Sequence, residues 1–224
     1  MGAAIGEVLA LGVGVAISPL AVIAVVVMLD AGNARAGAAF LGAWAAGLAG
    51  LATIAVLLAD GAQASDGGEP ATWVSFAKLV LAVLLLVVAA RQWRGRPGEA
   101  AEPELPGWIS GLGEMTAGRA ASLALLFACV KPKNLLLTIS AALAVAQTGA
   151  DTGAQAVALA VFVMLGSLAP GVPMGINVAL HERGAATLAA MRGWLERENT
   201  TIIVVLCLAF AAKLAVDAVS ALTG

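Results

Sequence analysis

The chain has 224 residues, 61% of them hydrophobic, and a formal net charge of −2 at pH 7. Several apolar runs exceed the roughly 20 residues that cross a bilayer, so the composition excludes a soluble globular domain. No basic patch accompanies this composition, and nothing in the sequence predicts nucleic-acid binding.

The apolar runs predict an all-α, polytopic membrane protein with a single membrane domain over residues 1–224. Each run is long enough to cross the bilayer. The first run lacks a basic stretch before it and carries Glu7, so it is interpreted as a retained helix and not as a cleaved signal. The six predicted spans are 3–29, 36–59, 71–90, 117–147, 153–180 and 200–221.

The arginines predict the orientation of these spans. All of them fall at or within the connections after spans one, three and five, whereas the other two connections contain neither Lys nor Arg. By the positive-inside rule the arginine-bearing connections are cytoplasmic. The sequence therefore predicts a multi-pass protein of the plasma (inner) membrane with both termini outside. The arginines are Arg35, Arg91, Arg94, Arg96, Arg119, Arg183, Arg192 and Arg197.

This orientation predicts which loops an impermeant reagent reaches. In a background lacking Cys129 and Cys207, the variants Asp66→Cys and Asp151→Cys should be labelled from outside by an impermeant maleimide, because both positions lie in arginine-free connections. Glu102→Cys should be labelled only after the membrane is permeabilised. The reverse labelling pattern would contradict the orientation.

A polar cluster interrupts the fourth span, where residues 129–134 read Cys-Val-Lys-Pro-Lys-Asn. Ionisable groups are costly in hydrocarbon and usually face a protein interior or an aqueous pathway. Pro132 removes a backbone donor, so the helix is expected to kink or open here. A broken helix that carries charge at mid-depth is typical of transporter sites. The alternative is a long helix end whose lysines reach the headgroups, but Arg119 already marks the cytoplasmic end roughly 18 Å from Lys131.

The first span carries a similar feature at Ser18-Pro19. Pro19 lies about 16 Å from the cytoplasmic end of its span, and Pro132 about 20 Å from Arg119, at 1.5 Å per helical residue. The two breaks therefore lie at similar depth, which predicts a 3+3 inverted repeat with proline-broken first and fourth helices. Its parts are repeat 1 (about 1–91), a cytoplasmic loop (about 92–116) and repeat 2 (about 117–224).

All four lysines lie within predicted spans. Lys78 and Lys213 are secondary site candidates, since each can also reach the outer interface by snorkelling and Lys213 has Asp217 one turn later. The fifth span contains a further irregular region, in which Pro170 and Pro173 are also secondary site candidates and Asn177 follows as a substrate-binding candidate. A kink that serves only packing is an equal alternative there.

The predicted spans contain no set of residues that indicates a catalytic site or a metal site. His181 is the only histidine and lies at a loop edge, so no Ser-His-Asp set can form. No cluster of Asp, Glu, His or paired Cys suggests a metal. Cys129 would need a second thiol near Ala16 to act as a thiol conduit. The sequence therefore predicts a protein that is not an enzyme and that has no cofactor.

The polar cluster instead predicts an electropositive centre. Proline is favoured at the first position of a helix, so half-helices are expected to begin at Pro19 and Pro132. Helix N-termini carry unpaired N–H groups and about half a positive charge each. The predicted anion site consists of Ser18, Pro19, Lys131, Pro132, Lys133 and Asn134.

Three stretches carry a resemblance to a known family: residues 16–20 (Ala-Ile-Ser-Pro-Leu), 27–29 (Val-Met-Leu) and 131–138 (Lys-Pro-Lys-Asn-Leu-Leu-Leu-Thr). In these motifs and in span order the chain resembles the GAP family of peptidoglycolipid- or sulfolipid-addressing proteins, placed in the lysine exporter superfamily. The resemblance implies a multi-pass plasma-membrane protein that helps move glycolipids or their precursors toward the cell surface. The superfamily also contains metal exporters, and the missing carboxylates count against that branch.

Together these observations predict a transporter or lipid translocator that exports an anionic glycolipid, a lipid precursor or an organic anion. The alternatives are an exporter of small solutes such as amino acids, and a non-transporting scaffold for a lipid-synthesis or lipid-export complex. Expected partners are membrane lipids and the anionic substrate. A homo-oligomer is left open.

Overall fold

The computed structural model describes residues 2–65, 72–94 and 110–180, together with parts of 186–220. Every regular element in these residues is a helix, which confirms the all-α prediction. The described residues between 204 and 220 are helical as well. The α-helices are α1 (Gly2–Ala16), α2 (Pro19–Asp30), α3 (Ala34–Ser65), α4 (Thr72–Arg94), α5 (Ala117–Leu125), α6 (Pro132–Gln147), α7 (Thr152–Gly166) and α8 (Leu168–Leu180), with a 3₁₀ turn at Ser110–Leu112 and a π-helical turn at Leu126–Val130.

Within α3, residues Ala34–Asp60 form the one described straight helix that is long and apolar enough to cross a membrane. Three further candidates are pairs of shorter helices, with bends of 53° between α1 and α2, 62° between α5 and α6, and 60° between α7 and α8. If each bent pair is one span, the described residues hold up to four spans by length and composition. The six-span inverted repeat stays a prediction.

The break after α1 and the break after the π-helical turn that follows α5 both result from proline at the first position of the next helix, at Pro19 and Pro132. The third break, between α7 and α8, occurs three residues before Pro170. Proline is tolerated in the first turn of a helix, where its missing N–H would have no partner. The predicted fifth span is therefore broken, whereas the predicted second span is straight, so the two halves differ here.

The half-helices form two layers on either side of the breaks. Helix α1 packs against α6 and α7, α2 packs against α8, and α3 runs past both layers and contacts α5, α6, α7 and α8. Glycine permits the closest approaches. A Cβ on Gly166 would lie 3.0 Å from the Leu48 side chain and 3.1 Å from that of Val15, and one on Gly14 would collide with the Phe210 ring. The third break is thereby held against α1 and α3.

Candidate functional site

Lys133 donates hydrogen bonds to the carbonyl oxygens that the first break leaves without helical partners. The Ser18 amide donates to the Ala16 carbonyl at 3.0 Å, instead of reaching back a full helical turn. The Gly14 carbonyl thus loses its helical partner, and the Ile17 carbonyl is left open in the same way. Lys133 Nζ donates to both of these oxygens at 2.7 Å, from a side chain that is only 3% exposed. Lys133 is therefore a cap on the C-terminal end of α1 and joins the first break to the second.

Asn134 donates a hydrogen bond to the carbonyl oxygen that the second break leaves without a helical partner. Because Pro132 has no N–H, the helix cannot continue with regular bonds, and it widens into the π-helical turn before the proline. The Lys131 amide donates to the Leu126 carbonyl at 3.2 Å, five residues back, and this frees the Phe127 carbonyl. Asn134 Nδ2 donates to that freed oxygen at 2.9 Å.

Trp44 donates a hydrogen bond to the carbonyl oxygen that the third break leaves without a helical partner. In a continuous helix the Gly166 carbonyl would accept from residue 170, but Pro170 has no N–H. Trp44 Nε1, from α3, donates to the Gly166 carbonyl at 3.1 Å. Sequence reasoning missed Trp44. The available signal was Pro170, which marks the orphaned carbonyl four residues earlier but does not name its partner.

An aromatic path links the third break to the second. The Trp44 ring stacks on Phe40 with centroids 6.1 Å apart, and Phe40 meets Phe127 edge to face at 6.3 Å. Lys131 Nζ lies 5.7 Å from the centroid of the Phe127 ring, within the range of a cation–π contact. Through this path, through Lys133 and through the packing of Gly166, the three breaks lie side by side.

Several buried polar atoms near the breaks have no hydrogen-bond partner. Ammonium and hydroxyl groups are among them, so most can donate, whereas the Asn134 oxygen only accepts. Buried polar groups are costly when unpaired, and each such group calls for an explanation. The atoms are Ser18 Oγ, Lys131 Nζ, Asn134 Oδ1, Thr138 Oγ1 and Ser167 Oγ.

The N-terminal ends of the second half-helices are left open. Ser18 and Lys131 occupy the N-cap positions of α2 and α6, and neither side chain caps its helix. Of the first-turn N–H groups, that of Ala21 donates to the Ser18 carbonyl, whereas those of Leu20, Lys133 and Asn134 leave a partial positive charge at these ends. At each break a side-chain N–H thus satisfies the carbonyl end, while positive potential remains at the amide ends of α2 and α6.

No described carboxylate pairs with Lys131 or Lys133. Glu7 instead forms an ion pair with Lys213, at 2.9 Å from Nζ to Oε2. Asp217, the sequence-predicted partner of Lys213, and the side chain of Lys78 lie outside the described residues. No group of three metal-ligating side chains occurs in the part of the chain that the structure describes.

The structure separates Asn177 from the breaks. Asn177 lies ten residues after Ser167, which is about 15 Å along α8 at 1.5 Å per residue. Pro170 adjoins the third break, and Pro173 lies inside α8. The residues brought together around the first two breaks are therefore those of 17–19 and 131–134, and the third break adds Ser167 and Trp44.

A family model described as Sap, sulfolipid-1-addressing protein, matches residues 8–220, which include all three breaks. No curated protein and no solved structure matches the chain.

Proposed function

Because the chain belongs to the sulfolipid-1-addressing protein family, we propose that it moves an anionic lipid or lipid precursor toward the cell surface. The family indicates a lipid-related role, and the apolar helices indicate a membrane protein. The substrate's negative charge is inferred from the three breaks.

The anion assignment rests on one difference at the breaks. The carbonyl oxygens have side-chain donors, whereas the amide ends of α2 and α6 have no side-chain acceptor. Lys133, Asn134 and Trp44 satisfy carbonyl oxygens, which would otherwise attract cations. The amide ends of α2 and α6 have no side-chain cap. In a low-dielectric interior, open N–H groups and uncompensated ammonium groups favour an anion and disfavour a cation.

The two lysines have different roles in this proposal. Lys133 uses two of its three N–H donors in hydrogen bonds to carbonyls at the end of α1, and these bonds connect the second break to the first. Lys131 Nζ has no hydrogen-bond partner and contacts only the electron-rich face of Phe127 among the contacts described for it. Lys131 is therefore the cation available to a sulfate, phosphate or carboxylate headgroup.

The substrate reaches this centre only if the half-helices move. The unpaired atoms at the breaks are enclosed in the structure. The breaks separate two layers of half-helices, and such breaks are where bundles rock in alternating access. We place the hinges at 17–18, 131 and 167, where the regular hydrogen-bond ladder is already interrupted.

Thermal stabilisation of the purified protein tests the sign of the charge. A galactosyl lipid sulfate should raise the melting temperature, and the same lipid without its sulfate should not. At 100 times its dissociation constant a ligand contributes about 2.7 kcal/mol, which is enough for a visible shift. The shift should shrink in Lys131→Gln, because glutamine keeps a donor but removes the charge.

Three outcomes would count against the anion site: equal stabilisation of wild type and Lys131→Gln, equal stabilisation by the two lipids, or a preference for a cationic lipid. Purified protein in liposomes separates transport from scaffolding. A transporter should move the sulfated lipid between leaflets, and this movement should be lost in Lys131→Gln. A scaffold should move nothing.

A further inference from the structure

A groove of about 510 Å³ lies between α3 and α7. Most of its lining is apolar and includes Leu57 and Met164, each 64% exposed. Exposed apolar side chains on a membrane helix face lipid tails. The groove lies beside α7, in the layer of half-helices that the arginine distribution places in the outer leaflet.

One end of this groove is polar. Gln155 lines it, is 8% exposed, and makes no side-chain hydrogen bond with another described residue. Thr53 and Thr152 line the same groove, and Thr152 begins α7. The Gln155 amide is not among the enclosed unpaired polar atoms, so it is accessible from the groove and can pair with a polar group of a ligand.

The other end of the groove is apolar and reaches toward the third break. Met164 lies about 18 Å from Thr152 along α7, at 1.5 Å per residue. Val163 lines the groove and also accepts the Ser167 amide through its carbonyl at 2.9 Å. A lipid tail lying along α7 from Gln155 would therefore end beside the proposed anion centre.

A second groove offers a built-in comparison. It lies between α3, α4 and α6, has a volume of about 450 Å³, and is lined only by apolar residues that include Leu58, Ile139 and Leu143. Its size is similar, but it has no amide or hydroxyl with which to orient a lipid. A lipid tail in this second groove would therefore have no polar partner in the lining.

We infer that the groove between α3 and α7 binds one acyl chain of a lipid, with Gln155 Nε2 donating to the ester carbonyl of that chain. The inference rests on the proposed function in taking a lipid as cargo. It adds a site for the tail in the outer-leaflet layer, separate from the headgroup centre at the breaks. A carbonyl fits because the amide donor of Gln155 is otherwise unused.

Photolabelling in nanodiscs tests this site. The probe is a galactosyl diacylglycerol with a diazirine at the end of one acyl chain. Wild type should be labelled in both grooves, near Met164 in the first and near Leu143 in the second. Gln155→Leu should reduce labelling near Met164 about fivefold, the effect of losing one hydrogen bond. Labelling near Leu143 should stay unchanged.

A dialkyl ether probe, which has no carbonyl, supplies the chemical control. It should label the first groove of wild type as weakly as the ester probe labels Gln155→Leu, and it should not respond to that substitution. Equal ester labelling of the first groove in wild type and Gln155→Leu would overturn the inference. An equal fall in both grooves would overturn it too, because it would reflect folding or bilayer composition.

The two proposals fail separately. Gln155→Leu should keep the stabilisation by the lipid sulfate, and Lys131→Gln should keep the selective labelling of the first groove. Loss of the sulfate effect with labelling intact would remove the anion centre alone. Loss of the labelling difference with the sulfate effect intact would remove the acyl-chain site alone.

Discussion

Replacing Lys133 with methionine is expected to weaken the folded bundle strongly. The substitution removes two hydrogen bonds of 2.7 Å and leaves the carbonyls of Gly14 and Ile17 buried without donors. Individual polar contacts in membrane proteins reach about 1.7 kcal/mol, so two charge-assisted bonds at that limit give about 3 kcal/mol. Unfolding of the purified protein by a denaturing detergent measures this loss.

Insertion and folding should respond to Lys133→Met in opposite directions. A lysine at the centre of a helix costs about 2.5–3.5 kcal/mol on insertion scales, so methionine should ease entry of the fourth span into the membrane. The Lys133 ammonium is already desolvated in helices that are inserted but not yet packed. Packing of the bundle offsets part of this cost, because the ammonium then bonds to two carbonyls. Insertion at or above the wild-type level, together with reduced bundle stability, is therefore the expected result.

Lys131→Met is the matched control for Lys133→Met. It removes the same charge two residues away, but Lys131 Nζ has no hydrogen bond to lose. Its stability should fall by less than about 2 kcal/mol, the scale of a single desolvated cation–π contact, because the loss of a buried unpaired ammonium offsets part of that contact. Equal destabilisation by the two substitutions would contradict the capping role of Lys133.

The second expected result concerns the third break. Trp44→Phe should destabilise the protein, because the buried Gly166 carbonyl loses its donor at 3.1 Å. In a Pro170→Ala background the cost should be smaller by about 1 kcal/mol, because residue 170 then has an N–H that can bond to Gly166. The loss of indole packing is common to both backgrounds and cancels in the cycle.

Pro173→Ala is the control for that cycle. It also removes a proline from α8, but the carbonyl four residues before it belongs to Ala169 and not to Gly166. Trp44→Phe should therefore cost as much in Pro173→Ala as in wild type. The same cost in all three backgrounds would show that Trp44 does not serve the carbonyl orphaned by Pro170.

The two central lysines show where sequence reasoning stopped. In sequence, Lys131 and Lys133 flank one proline and look alike as donors for an anion. In the fold, Lys133 caps α1 and Lys131 Nζ is left without a hydrogen bond. Lys131 is the N-cap residue and has an extended backbone, whereas Lys133 lies in the first turn of α6, so the two side chains meet different neighbours, and these neighbours decide the role.

The sequence by itself determined the helical class, the apolar character of the helices and the breaks at Pro19 and Pro132. These are local properties, because proline lacks an N–H whatever surrounds it. Only the tertiary structure decided how the breaks are closed. Lys133 reaches Gly14 across 119 positions of the chain, and Trp44 reaches Gly166 across 122. A single proline in the sequence shows which carbonyl lacks a helical hydrogen-bond donor. The residue that replaces this donor depends on packing between distant helices, which no local sequence pattern predicts.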